Sequence, residues 1–289
     1  MRLVQGIPAS ATATVARLSP SPSSSPPPPP SSSSSPPPRP TFGLLNGLGA
    51  IILGRPTSTP SPEPSGSSAR SAYSTWDNRS AALQVFYPAG SVNPAGNPKG
   101  GAQFYATPLD LTSAQTVTMG YSVFFPANFN WVYGGKLPGL YGGHISCSGG
   151  NAALDCFSTR LMWRSGGEGE LYLYAPKNKQ THAMCADPQS DCNAEYGFSI
   201  GRGSFDWAAG AWTHVEQTVR LNTPGKQDGG FRLLVNGQPA ISRDDVFYRD
   251  KPPPSASTTN TFFGGHGSMY ATPKDQYVWF KDFSLIFNA

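Results

Sequence analysis

From Ser71 onward, apolar and polar residues alternate with a period of two, the spacing of a strand with one buried face. The stretch QTVTMGYSVFF sets Val117, Met119, Tyr121, Val123 and Phe125 on one side, with Thr116, Thr118 and Ser122 on the other. Residues 81–87 (AALQVFY), 212–221 (WTHVEQTVRL), 231–235 (FRLLV) and 277–287 (YVWFKDFSLIF) alternate in the same way, and no helical period of convincing length is present. Asn236-Gly237, between FRLLV and QPAIS, predicts a tight hairpin because both residues tolerate positive φ. With 32 glycines and 30 prolines to supply turns, the expected fold is all-β, a jelly-roll β-sandwich of two antiparallel sheets.

The stretch FSTRLMWRSGGEGELYLY, residues 157–174, reads as a hairpin with chemistry on it. Phe157, Thr159, Leu161 and Trp163 share one face of its first strand, and Ser158, Arg160, Met162 and Arg164 share the other. The second strand separates Leu171 and Leu173 from Tyr172 and Tyr174. A loop of about three or five residues sets Arg160 opposite Tyr174 and Met162 opposite Tyr172. Directly opposed residues point to one face, so Ser158, Arg160, Tyr172 and Tyr174 form a polar, aromatic patch while Phe157, Leu161, Leu171 and Leu173 face the core. A one-residue slip would reverse the faces, and the apolar set opposes it.

Composition divides the chain in two. Residues 1–70 form a leader whose Ser/Pro tract at 19–40 offers too little apolar area to offset chain entropy and is expected to be disordered or processed; residues 71–289 form the domain. The leader holds five arginines and one glutamate, leaving the domain with 16 basic and 16 acidic residues. A neutral domain without a basic run argues against nucleic acid. The apolar run at 42–53 is too short for a membrane span, which needs about 20 residues, and has the length of a signal-peptide core. Export is expected on two further grounds: the sequon at Asn78, and cysteines in two close pairs, Cys147 with Cys156 and Cys185 with Cys192, suited to local disulfides in an oxidising compartment. Their spacing does not fit a zinc knuckle, and Asp244-Asp245 lacks the alternating oxygen ligands of a calcium loop, so no metal and no cofactor are expected. The protein is expected to be secreted and to act as a monomer.

A sheet lined with Arg and Tyr suits an acidic saccharide, because guanidinium grips carboxylate in a fork and aromatic rings meet sugar faces. The motifs GGKLPGLYGG (134–143), FSTRLMWRSGGEGELYLY (157–174) and FFGGHGSMYATPKDQYVWFKDF (262–283) resemble the polysaccharide lyase family fourteen domain of fungal secreted proteins. The family includes alginate lyases and glucuronate-polymer lyases, so the resemblance, over about residues 72–288, implies a jelly roll that cleaves a polyuronate by β-elimination. It also implies that Lys136 is catalytic, with Ser158, Arg160, Tyr172 and Tyr174 as the family's Ser-x-Arg and Tyr-x-Tyr pairs.

In that chemistry the uronate carboxylate is neutralised, a base removes the proton on carbon 5, and an acid protonates the leaving oxygen. Arg160 suits the carboxylate because it stays protonated. Either tyrosine serves as base and acid in turn if Lys136 and Arg160 favour its phenolate, with Lys136 as the rival base; Ser158 is expected to orient substrate. His144, Tyr133, Tyr141 and Arg164 are candidate substrate contacts, and His266 a weaker one. Two other readings stay open: a lectin-like module with the same groove and no turnover, and a glycoside hydrolase using Glu168 and Glu170, which are expected to be ordinary turn glutamates.

Overall fold

The computed structural model describes residues 13–16, 82–106, 108–143, 147–192, 195–251, 255–263 and 267–288. The Ser/Pro tract, the apolar run at 42–53, Asn78, His144 and His266 lie outside them.

In chain order the strands are β1 (Ala13–Ala16), β2 (Ala82–Tyr87), β3 (Ala102–Ala106), β4 (Thr116–Phe124), β5 (Gly134–Lys136), β6 (Gly139–Gly143), β7 (Cys156–Arg164), β8 (Gly169–Tyr174), β9 (Phe198–Ile200), β10 (Trp212–Arg220), β11 (Gly229–Val235), β12 (Gln238–Val246), β13 (Ser255–Phe263) and β14 (Gln276–Asn288). They form two antiparallel sheets. One runs β1-β2-β14-β4-β10-β11-β12; the other runs β3-β13-β5-β7-β8-β9, with β6 between β13 and β7. A single short α-helix, α1 (His182–Ala186), is present among the described residues, capped by the Thr181 hydroxyl, which accepts from the Met184 amide. No described helix is long and apolar enough to cross a membrane.

The inward faces of the two sheets supply the core. Val117, Met119, Tyr121 and Val123 of β4 bury against Leu161, Trp163, Leu171 and Leu173 of β7 and β8, with Phe231 and Phe280 beside them. Each such side chain contributes about 1.5–3 kcal/mol by leaving water. The alternation that predicts β4 holds, and Asn236 and Gly237 turn the β11–β12 hairpin at φ 50° and 78° with Val235 opposite Gln238.

The β7–β8 hairpin keeps the predicted faces but not the predicted pairs. Ser158 lies opposite Tyr174, Arg160 opposite Tyr172 and Met162 opposite Glu170. The register is displaced by two residues because the turn takes residues 164–168, with Gly166 and Gly167 at φ 75° and 97° and the Arg164 amide donating to the Glu168 carbonyl. A two-residue displacement preserves parity, so the shared face survives.

Candidate active site

Four strands, β5 to β8, aim the site. Across β6, β7 and β8 run Tyr141, Ser158 and Tyr174; the next row pairs Arg160 with Tyr172, which faces Ser199 of β9; the next is Lys136, Met162 and Glu170. Lys136 and Tyr141 are five residues apart, yet their partners Met162 and Ser158 are four apart. The extra residue at Leu137-Pro138 is a bulge-like slip, and it lets both side chains share the face of Arg160 and Tyr172 although strict alternation would turn one inward. Gly139 is required at this crossing, because a Cβ there would stand 2.6 Å from the Arg160 Cα.

The electrostatics follow from crowding. The Lys136 ammonium lies 4.8 Å from the centre of the Tyr172 ring, and the Arg160 and Arg164 guanidinium carbons each lie 5.9 Å from that ring. Burial, then the charges of Arg160 and Arg164, pull the Lys136 pKa down to about 7, with Glu170 holding it up in part. Burial raises the Tyr172 phenol above its ordinary value, and Tyr174 adds to this; the Gly197 amide and Arg160 oppose the shift without reversing it. The cations therefore do not make Tyr172 a phenolate, contrary to the expectation from their charge alone, because desolvation outweighs them. Near neutral pH the site holds an amine able to accept a proton beside a phenol able to give one.

Arg160 is buried, and among the described residues its Nε has no hydrogen-bond partner. An orphaned donor on a buried guanidinium is costly unless a ligand meets it, and a carboxylate matches its fork. Arg164 stands on the same face of β7, one position beyond Met162, its guanidinium bonded to Glu170 at 2.5 Å. Burial opposes its charge, but the Glu170 carboxylate raises its pKa above the usual arginine range.

The row of Tyr141, Ser158 and Tyr174 is covered instead of open. Tyr174 is 2% exposed, and its hydroxyl accepts from the Gly150 amide at 3.1 Å. The Ser158 hydroxyl donates to the Cys147 carbonyl at 3.1 Å. Both bonds reach the loop closed by the Cys147–Cys156 disulfide, which packs with Tyr141 and Tyr174; Cys185 and Cys192 form the second disulfide. Tyr141 meets Tyr105 edge-on at 5.2 Å. Tyr133 is 53% exposed and stands 5.6 Å from Tyr270 at the rim. Among the described residues no group of three or more His, Cys, Asp or Glu is placed to hold a metal ion.

Glu170 overturns its expected place in the turn. It lies within β8 at 0% exposure, with Oε1 on Arg164 and Oε2 on Ser199 Oγ at 2.5 Å and on Arg202 Nε at 2.9 Å. Both oxygens are engaged, so Glu170 is not placed to form a hydrolytic acid–base pair with the exposed Glu168. Its parity with Tyr172 and Tyr174 was the available signal. Arg202 and Ser199, from a separate segment, carried none.

The family model described as Polysaccharide lyase 14 matches residues 75–283. Among solved structures, an alginate lyase from Aplysia kurodai is 35% identical with a TM-score of 0.66, over 75% of this chain and 86% of that one. An alginate lyase from a Chlorella virus is 25% identical with a TM-score of 0.63, over 75% and 89%. The alginate lyase Aly36B, 21% identical with a TM-score of 0.57 over 74% and 85%, shares the fold. Among curated proteins, none matches.

Proposed function

We propose a division of catalytic labour for a chain that belongs to the polysaccharide lyase 14 family. It is a polysaccharide lyase acting on polysaccharides that contain uronic acids. In the proposed reaction Arg160 binds the uronate carboxylate and stabilises the charge that moves onto it when the carbon 5 proton leaves. Neutral Lys136 takes that proton. The electron pair closes a double bond between carbons 4 and 5, the bond from carbon 4 to the glycosidic oxygen breaks, and Tyr172 protonates the departing oxygen. A proton returned from the Lys136 ammonium to the Tyr172 phenolate resets the site.

The observation that carries this reading is Lys136 beside Tyr172 and Arg160, with its pKa near 7. The order of roles follows from the two opposite shifts, since groups whose environments push their affinities apart sort into base and acid. Tyr174 and Ser158, both covered, are proposed as the floor that holds Arg160 and Tyr172 in place. Arg164, Tyr133 and Tyr141 are proposed as further contacts for, or supports of, the bound chain. The proposed substrate is alginate, supported by the relative at 35% identity, and the proposed location is extracellular, supported by the two disulfides.

Incubation with alginate, glucuronan and pectin tests the reading through the near-ultraviolet absorbance of the unsaturated uronate product. Alginate is expected to give the largest signal. Binding of all three polymers without absorbance would mark a lectin, and reducing ends without absorbance would mark a hydrolase; either result removes the proposed reaction.

A further inference from the structure

We propose that a polar pin between the two sheets, made by Tyr121, Thr159 and Gln217, positions Lys136 and Arg160 for catalysis. The inference rests on the role of Lys136 given above and extends the site to residues that never meet the substrate.

The pin lies directly behind the slip at Leu137-Pro138. Gln217 belongs to the opposite sheet, on an inward position of β10 between Met119 of β4 and Leu233 of β11, and is 0% exposed. Its Nε2 donates to the Pro138 carbonyl at 3.1 Å, and its Oε1 accepts from the Thr159 hydroxyl at 2.8 Å. The Tyr121 hydroxyl, also from the opposite sheet, donates to the same Pro138 carbonyl at 3.1 Å. Thr159 Oγ1 in turn accepts from the Leu140 amide at 3.1 Å. Proline has no amide hydrogen, so at Pro138 the strand cannot donate to a ladder, and its carbonyl turns inward to the two donors from the facing sheet.

An apolar interior does not retain a primary amide without cause. A buried polar group that loses its partners costs on the order of 1–3 kcal/mol, and neighbouring inward positions on β10 are valines. What the network secures is the five-against-four spacing that turns Lys136 to the face of Arg160 and Tyr172. Pro138 lies two residues from Lys136, and Thr159 is adjacent to Arg160, so one cluster fixes both groups from behind. Buried polar networks of this kind are suited to specifying one backbone arrangement among close alternatives.

The test uses Gln217→Leu, Thr159→Val and Tyr121→Phe, with Thr159→Ser as the conservative control and Lys136→Met in parallel. Among the described residues, the groups facing the Lys136 amine include Arg160 and Arg164 from β7 and Glu170 and Tyr172 from β8. Gln217→Leu and Thr159→Val are expected to lower kcat by about ten- to a hundredfold with KM within about twofold, since a small misplacement of a reacting group has that effect. The acid limb of the pH–rate profile is expected to move upward as the amine gains water. Thr159→Ser is expected to keep both values. Tyr121→Phe removes one of the two donors to Pro138 and should show a smaller change in the same direction, which keeps the test usable if a core variant fails to fold. Folded pin variants with the parent kcat and acid limb, alongside an inactive Lys136→Met, would overturn this inference alone; an active Lys136→Met would overturn the catalytic reading beneath it. A lowered kcat with the acid limb unmoved would reject the pin as a device that positions Lys136, by showing that the loss does not pass through that residue.

Discussion

The Lys136 ammonium faces the Tyr172 ring at 4.8 Å, and the two groups are driven in opposite directions by the same enclosure. A ring face favours a cation by about 0.5–2 kcal/mol, but loss of water, and after it two guanidinium groups, outweigh it here. Activity is therefore expected to rise as pH passes upward through about 7, where Lys136 loses its proton. Lys136→Arg, which cannot lose its proton, is expected to reduce kcat by about 10²–10⁴-fold. The same shift bears on stability. Between about 7 and the ordinary lysine value the unfolded chain binds more protons than the folded one, so this lysine makes stability rise with pH over that window. Lys136→Met should flatten that rise in a series of denaturation curves.

Tyr172→Phe separates the proposed acid from the proposed base. It keeps the ring beneath Lys136 and removes only the hydroxyl that accepts from the Gly197 amide at 3.3 Å. We expect kcat to fall by about 10²–10⁴-fold with the acid limb still near 7, because that limb belongs to Lys136. A profile whose acid limb disappears in Tyr172→Phe would transfer the titration to the tyrosine.

Arg160→Lys keeps the charge and loses the fork. The guanidinium carbon sits 5.5 Å from the centre of the Tyr174 ring and 5.9 Å from that of Tyr172. We expect kcat/KM to drop at least about tenfold, which corresponds to about 1.4 kcal/mol of transition-state stabilisation, within the range of a charge-assisted bond. Steady-state rates on alginate with matched melting curves check this; an unchanged kcat/KM would remove Arg160 from carboxylate recognition.

Glu170→Gln leaves Arg164 and Arg202 without their common carboxylate. A stability loss on the order of 2–3 kcal/mol is expected, below the full cost of breaking a buried pair because Arg202 stays partly in water. Glu170 is also the group that holds the Lys136 pKa up, so the acid limb should move below 7, opposite to the pin variants. Urea unfolding measures the first effect and the pH–rate profile the second.

These residues differ in how readable they were. Ser158, Arg160, Tyr172 and Tyr174 share a face by parity, and parity tolerates the two-residue displacement that the Gly166-Gly167 turn introduces. Lys136 could not be placed by alternation, because the slip at Leu137-Pro138 changes parity between it and Tyr141; only the resemblance supplied it. Glu170 had the right parity, but the glycines beside it read as turn, and its partners Ser199 and Arg202 come from a segment with no pattern. Gln217 lies in a strand whose period was plain, yet periodicity reports which way a side chain points and not what meets it there.

The Cys147–Cys156 loop covers Tyr174, and Tyr174→Phe tests whether that residue is floor or reactant. The loop covers the Tyr174 hydroxyl through the Gly150 amide and binds Ser158 through the Cys147 carbonyl, so it shields the two residues that the sequence placed among the catalytic candidates. Replacing both cysteines by serine frees a short loop, and the entropy of closing about ten residues makes the expected stability loss about 2.5–3 kcal/mol. If Tyr174 only supports Arg160 and Tyr172, Tyr174→Phe should keep kcat within about tenfold in both the disulfide-bonded and the serine background. If Tyr174 is the proton donor, Tyr174→Phe would fall by the 10²–10⁴-fold of a lost acid in both. Saturating rates of the four proteins, taken well below their melting temperatures, separate the two outcomes because a support loses stability where a donor loses chemistry.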